Sequence, residues 1–430
     1  MKILIREGRI VNFDAIQNAD ILIHNSRIIK IGRIEEKADK EINARGKVIL
    51  PGLIDMHTHL RTPGWEDRED LTTGSLAAAK GGFTTIFCMP NTSPALDNEG
   101  YLKWIIKEAE RIGIVDIYPV GAITKSREGK ELTEFGILKK AGCLCLSDDG
   151  DPLEDVSLLR KALEYAGMFN LLIISHCEEK KLSYTGSMTE SVISSKYGME
   201  GIPSISESIG VFRDLELARY LKVKIHLAHI STKRSLEIIK KAKEEGVRVT
   251  CETAPHYFIL KVEDLEKNNF HANFKVNPPL GEEEDIEAVK EAIKEGVIDC
   301  IATDHAPHSI AEKELPFTKA PFGFIGLEFA FALSYTYLVK RKIIDLKGLV
   351  EKMSYRPANI LGLKDKGYIK EGAFADLAIV DLNQTWEVNK KDIVSKSKNT
   401  PFIGYILHGL IEYTFHKGKI VYNRAVSSRL

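Results

Sequence analysis

Glutamine is nearly missing from this chain: only Gln17 and Gln384 occur in 430 residues, while lysine and glutamate abound, a bias of proteins that work hot. An excess of either charge is missing too. Sixty basic side chains face 61 acidic ones, for a formal net charge of -1. That leaves no field to hold a polyanion or an acidic membrane, and there is no basic stripe or nucleic-acid motif. A small-molecule substrate is expected instead. Long apolar runs are lacking as well. The opening MKILIREGRIVNF is broken by Arg6 and Glu7, which excludes a signal-peptide core and any span of roughly 18 apolar residues there, so a soluble, cytoplasmic protein is expected. Cysteine is sparse, and Cys88, Cys143, Cys145, Cys177, Cys251 and Cys300 lie mostly in apolar runs without metal-finger spacing. They read as reduced core residues, not a disulfide framework.

What the chain does have is hydrophobic bulk in a regular alternation. At 44% hydrophobic over 430 residues, it can bury one large domain with a smaller partner. Eight short apolar runs follow one another: VILPGLIDMH, TTIFCMP, DIYPVGAI, CLCLSDD, NLLIISH, KIHLAHIS, RVTCETA and VIDCIATD, starting near Val48, Thr84, Asp116, Cys143, Asn170, Lys224, Arg248 and Val297. Amphipathic segments at 97–113, 214–221, 235–246 and 282–296 separate several of them, with Gly as a helix stop after most. Apolar strands covered by helices predict an α/β fold, a (β/α)8 TIM-like barrel over 48–366. Residues 1–47 and 367–430 alternate with period two, as in DILIHNSRIIKIG and YTFHKGKIVY. That predicts a small β-sandwich domain built from both termini. After Cys177, SYTGSMTESVISSKYGMEGIPSISES is polar and long for a barrel loop, so it is a lid or an insertion.

The candidate ligands fall at strand ends. His57 and His59 end the first run, Asp149 the fourth, His176 the fifth, His229 the sixth and Asp304 the eighth. In such a barrel that face holds the active site, because its loops converge on one mouth. His57 and His59 are two apart and project together from an extended strand. Imidazoles with carboxylates suit zinc or a similar divalent ion. Asp148 and Asp149 point to opposite faces of a continuing strand, and Asp149 is the one expected to reach the metal. Four histidines and a bridging carboxylate suffice for two metals per subunit with a bridging hydroxide. Asp304 would then move the proton from that hydroxide to a leaving nitrogen. His24, His408 and His416 carry no role, and His226 is a packing residue. The chemistry implied is amide hydrolysis or its reverse.

The motifs DMHTHLRTPG (55–64), MPNT (89–92), SDDG (147–150), SHCE (175–178), LAHIST (227–232), KVNPPLG (275–281), ATDHAPH (302–308) and APFG (320–323) together resemble the dihydroorotases of the long type, in the amidohydrolase superfamily. The resemblance runs to the closing KEGAFADLAIVDL. It implies metal ligation by His57, His59, Asp149, His176 and His229, with Asp304 touching a metal and shuttling protons. It also implies that Arg61, Asn91 and His308 bind a substrate carboxylate, and that Asn277 and the backbone at Phe322 and Gly323 meet a pyrimidine ring edge. Many superfamily members bridge their metals with a carboxylated lysine on the fourth strand. CLCLSDDG has none, and Lys139 and Lys140 lie in the preceding helix, so Asp149 takes that place. The activity expected is reversible, zinc-dependent cyclisation of N-carbamoyl-L-aspartate to L-dihydroorotate in pyrimidine synthesis. Two rivals stand against it. A hydantoinase, dihydropyrimidinase or allantoinase shares the barrel but serves rings without the carboxylate, and Arg61 and Asn91 speak against it. A non-catalytic scaffold would have lost ligands, and none is missing here.

Overall fold

The computed structural model describes residues 1–183 and 185–427. The chain opens with five strands, β1 (Lys2–Val11), β2 (Ile16–His24), β3 (Arg27–Gly32), β4 (Lys40–Asn43) and β5 (Val48–Pro51). The barrel begins with β6 (Leu53–Thr58), β7 (Phe83–Cys88), β8 (Asp116–Pro119), β9 (Cys145–Leu146) and β10 (Leu172–Ser175). Past a short parallel pair, β11 (Met188–Thr189) and β12 (Gly201–Ile202), it ends with β13 (Ile225–Leu227), β14 (Val249–Thr253) and β15 (Cys300–Ile301). Parallel ladders run β6-β7-β8 and β9-β10-β13-β14-β15. Two bridges close the ring: Gly121 with Leu146, and Thr58 with His305. The His59 N–H donates to the His305 carbonyl at 2.8 Å across the second seam. This is the (β/α)8 barrel, and its interior is packed. Ile54, Met56, Phe87, Val120, Cys145, Ile174, Ala228 and Cys300, drawn from strands all round the ring, form one buried cluster with Ala358 and Leu361.

The remaining strands, β16 (Leu377–Glu387), β17 (Ile406–His416) and β18 (Lys419–Asn423), join the first five in one sheet of order β18-β17-β16-β5-β1-β2-β3, with β4 on β1. Both termini therefore build it. Its period-two alternation sorts side chains between two cores. Ile49, Leu377 and Ile379 face the small unit's own core with Ile3, Ile21 and Phe415. Val48, Leu50, Ala378 and Val380 face the barrel's outer core.

Two local departures from the sequence pattern have physical causes. The run VILPGLIDMH is two strands, β5 in the terminal sheet and β6 in the barrel. The break is Gly52, where a Cβ would lie 2.2 Å from the Thr84 hydroxyl oxygen and whose N–H donates to the Asp376 carbonyl at 2.8 Å. The helix expected at 214–221 begins earlier and spans Ile205–Leu221. Its first turns pack backbone to backbone, since a Cβ on Gly210 would come within 2.7 Å of the Glu178 nitrogen. The segment after Cys177 thus contains helices Lys180–Ser183 and Val192–Lys196 and the β11–β12 pair, while Tyr184 within it lies outside the described residues. All six cysteines are buried and free. Among the described residues no helix is long and apolar enough to cross a membrane.

Candidate active site at the barrel mouth

The strand ends bring all six ligand-type residues together, and none is more than 6% exposed. Asp149 is the centre. Its Oδ1 lies 3.4 Å from His57 Nε2, 3.6 Å from His176 Nδ1 and 3.3 Å from His229 Nε2, and its Oδ2 lies 3.5 Å from His59 Nε2. One carboxylate therefore stands between a His57/His59 pair and a His176/His229 pair. Asp304 Oδ1 lies 3.0 Å from His59 Nε2 and 3.8 Å from His57 Nε2. Ligand atoms of His57, Asp149 and His229, and likewise of His57, His59 and Asp304, all fall within 4.8 Å of one another. Asp148 turns away: its carboxylate accepts from the Ile123 and Thr124 N–H groups at 2.8 and 3.1 Å. His226 also stays outside, with Nδ1 2.7 Å from Thr250 Oγ1. The backbone is strained where it turns these groups inward. Arg61, His229 and Asp304 have φ of 60°, 35° and 48°, a left-handed region costly for residues with a Cβ.

Carboxylates that the sequence reading passed over hold the far side of the imidazoles. Glu252 Oε1 is 2.9 Å from His57 Nδ1, and Glu178 Oε2 is 2.8 Å from His176 Nε2. Such outer partners fix a ring's tautomer and aim its other nitrogen. Asp55 ties the first and eighth strand ends together, accepting from the His57 and Thr303 N–H groups at 3.1 Å each. The one trace of Glu252 in the sequence is an acid in the middle of the strand run RVTCETA, which does not say what it faces.

The electrostatics favour positive charge. Burial would lower the His57 and His176 imidazoles. Asp149 with Glu252 outweighs it for His57, which ends well above its ordinary value, and Asp149 with Glu178 carries His176 to about 10. Burial pushes Glu252 and Glu178 up, but the histidines beside them win, and both settle at about 2. His57 Nε2, fully buried, has no hydrogen-bond partner among the described residues although it faces two carboxylates. Imidazole and carboxylate donors converging with a surplus of negative charge fit divalent cations.

Beside this cluster lies a second, cationic corner. The Arg61 Nε donates to the Pro307 carbonyl at 3.1 Å, and its Nη2 lies 3.3 Å from His308 Nε2. His308 Nε2 is 2.7 Å from the Phe322 carbonyl, so that nitrogen carries the hydrogen. Burial lowers Arg61, aided by Arg68, to about 10, which leaves it protonated at neutral pH. Burial lowers His308 to about 3, which leaves it neutral. Asn91 turns its Oδ1 to His59 Nδ1 at 2.8 Å. Asn277 Nδ2 donates to Glu178 Oε2 at 3.3 Å. Gly323 is engaged on both backbone atoms, its N–H by the Lys275 carbonyl at 2.8 Å and its carbonyl by Asn399 Nδ2 at 3.2 Å.

Comparison with known proteins places this geometry. Residues 46–235 match a family model described as dihydro-orotase-like, and residues 217–422 one described as amidohydrolase family. A dihydroorotase of Acetivibrio thermocellus is 47% identical over 426 residues, covering 98% of this chain and 99% of its own. One of Geotalea daltonii is 47% identical over 430 residues, covering 99% and 100%. Among solved structures, the L-hydantoinase (dihydropyrimidinase) from Arthrobacter aurescens aligns with a TM-score of 0.87 at 26% identity, over 98% of this chain and 96% of that one. Near-half identity along almost the whole length of such relatives means that the chain belongs to the dihydroorotase family, within the amidohydrolase superfamily, and is a cyclic amide hydrolase.

Proposed function

We propose that this protein interconverts N-carbamoyl-L-aspartate and L-dihydroorotate in cytoplasmic pyrimidine synthesis, with two zinc ions per subunit held by His57, His59, Asp149, His176, His229 and Asp304. The observation that carries the reading is the pairing of a cation-seeking histidine–carboxylate cluster with a buried Arg61–His308 corner. A ring without a carboxylate would leave that buried guanidinium uncompensated. Bound at such a cluster, divalent cations supply a water acidic enough to ionise near neutral pH and polarise an amide carbonyl.

The chain's own groups do the rest. Asp149, within 3.6 Å of a nitrogen on each of four histidines, would hold the cations together with those histidines, in the place that the resemblance gives to a modified lysine in other superfamily members. Burial pushes the Asp304 carboxyl up, but the His59 hydrogen bond and nearby imidazoles bring it to about 2. Asp304 is thus ionised, and its Oδ atoms take a proton in the hydrolytic direction and return it to the departing ring nitrogen. Arg61 offers a charge-assisted pair to the substrate carboxylate. His308, and Asn91 through the amide hydrogens turned away from His59, complete that corner. Asn277 and the Phe322–Gly323 backbone border the ring.

The test is turnover of both substrates by purified protein, before and after chelation and zinc return, with hydantoin and allantoin as controls. Zinc-restored activity on dihydroorotate alone supports the reading. Activity only on the controls would move the substrate to another cyclic amide, and activity on none would favour a scaffold.

A further inference from the structure

The stretch between β16 and β17, which carries none of the ligand or substrate motifs, crosses back to the barrel mouth. There it stitches two loops together, the one that follows His59 and the one that follows Asp304. On the first loop, Ser397 Oγ donates to the Arg68 carbonyl at 2.6 Å, the Lys396 N–H donates to Glu69 Oε1 at 3.1 Å, and Ser395 Oγ donates to Glu69 Oε2. Glu69 itself reaches His305 Nε2 on the second loop at 3.3 Å. Asn399 then grips the second loop with its whole amide. Its Oδ1 accepts from the His308 N–H at 3.2 Å, its Nδ2 donates to the Gly323 carbonyl at 3.2 Å, and its own carbonyl accepts from the Ile325 N–H at 2.9 Å.

We infer that Asn399 is a positioning residue for the substrate carboxylate, acting through His308 and Arg61. The route is short. Asn399 fixes the His308 backbone, and the preceding residue's carbonyl, Pro307, is what orients the Arg61 guanidinium. The same amide holds Gly323 against Ala306, where packing is so close that a Cβ on Gly323 would meet the Ala306 Cβ at 2.6 Å. Asn399 is 5% exposed, so losing its side chain opens buried donors and acceptors on both strips. It touches none of the six ligand-type residues. The metal cluster and the proton transfer at Asp304 therefore do not depend on it, whereas the placement of the carboxylate does.

This inference rests on the proposed substrate, and one experiment separates the two. Wild type, Asn399→Ala, Arg61→Ala and the double variant are assayed on dihydroorotate, with zinc content and Tm measured for each. Asn399→Ala should raise KM about 10-fold, with kcat within about threefold and zinc content unchanged, since a small misplacement of a binding group weakens capture more than chemistry. In the Arg61→Ala background the same change should cost about twofold or less, because it acts through a group already gone. Asn399→Ser, which keeps a hydroxyl able to accept from the His308 N–H, should recover part of the loss. An Asn399→Ala enzyme with wild-type KM overturns the inference and leaves the substrate assignment standing. So does a loss shared by kcat, zinc and Tm, or one that adds fully to that of Arg61→Ala. A wild type inactive on dihydroorotate removes the substrate assignment and this role together.

Discussion

The two ends of the barrel both bury charge, and they do it differently. At the base, Asp116 at the start of β8 meets Lys366 at 2.8 Å, Lys417 at 2.7 Å and His416 at 3.2 Å, while Asp376 binds Lys366 and accepts from the Lys417 N–H at 2.6 Å. Two lysines and two carboxylates cancel there. At the mouth, Asp149, Asp304, Glu252 and Glu178 crowd against imidazoles; they raise His57 and His176, yet four carboxylates still outnumber those two, and the Arg61 guanidinium belongs to a separate corner. The base is complete within the chain and fastens the terminal sheet to the barrel. The mouth is complete only with added positive charge, which is how a site differs from a structural ion cluster made of the same residue types.

That contrast can be broken by substitution, and the largest effect belongs to the mouth. Asp149→Ala should cut kcat/KM about 1000-fold or more and lower zinc content, because it removes the group shared by four histidines. An active, zinc-replete Asp149→Ala protein would remove the bridging role. Asp116→Ala should do the reverse, costing about 3 kcal/mol of stability by stranding cations at the base, with kcat unchanged. Denaturant melts alongside assays would read this, and an unaltered melting point would mean the base contributes nothing. Next comes Arg61→Ala, expected to raise KM about 100-fold through loss of a charge-assisted pair, with zinc retained. Unchanged turnover of dihydroorotate would refute the carboxylate corner.

The smallest effect sharpens the comparison through pH. Lys313, buried at the rim, donates to the Ala272 and Pro321 carbonyls at 3.0 and 2.8 Å and has among the described residues no carboxylate partner of the kind found at the base. Burial, then repulsion from Lys275 and Arg61, brings it down to about 7. Between that value and its ordinary one, the unfolded chain keeps a proton that the folded chain has shed, so folded stability rises with pH across the window. The Tm of Lys313→Met relative to wild type should accordingly be more favourable at about pH 6.5 than at about pH 9.5, by about 2 °C. Equal differences at both values would mean Lys313 stays protonated throughout.

The clustering of His57, His59, His176 and His229 was legible in the sequence because a barrel strand delivers its last residues to one mouth, so they announce themselves by where apolar runs stop. The alternation of β16 to β18 likewise named the terminal sheet's strands. What stayed hidden are partners joined only by folding. Glu252 lies 195 residues from His57, and Asn399 lies 91 from His308, distances at which no local period or spacing carries information. Gly52 was hidden for a different reason. The residues on either side of it are equally apolar, and only the approach of Thr84 shows that the chain must change sheets there.

The pairing of β5 with β16, Pro51 opposite Leu377, also sets a timetable. During synthesis the first strands leave the ribosome with one edge bare, and on the order of tens of seconds pass before the strand that covers it is made. Through that interval the nascent chain carries an unsatisfied β-edge that any other growing copy can pair with. Fidelity of assembly in the cell therefore depends on how long the apolar edge Val48–Pro51, which has no charged residue of its own to repel a neighbour, waits for the end of the chain to arrive and close the sheet.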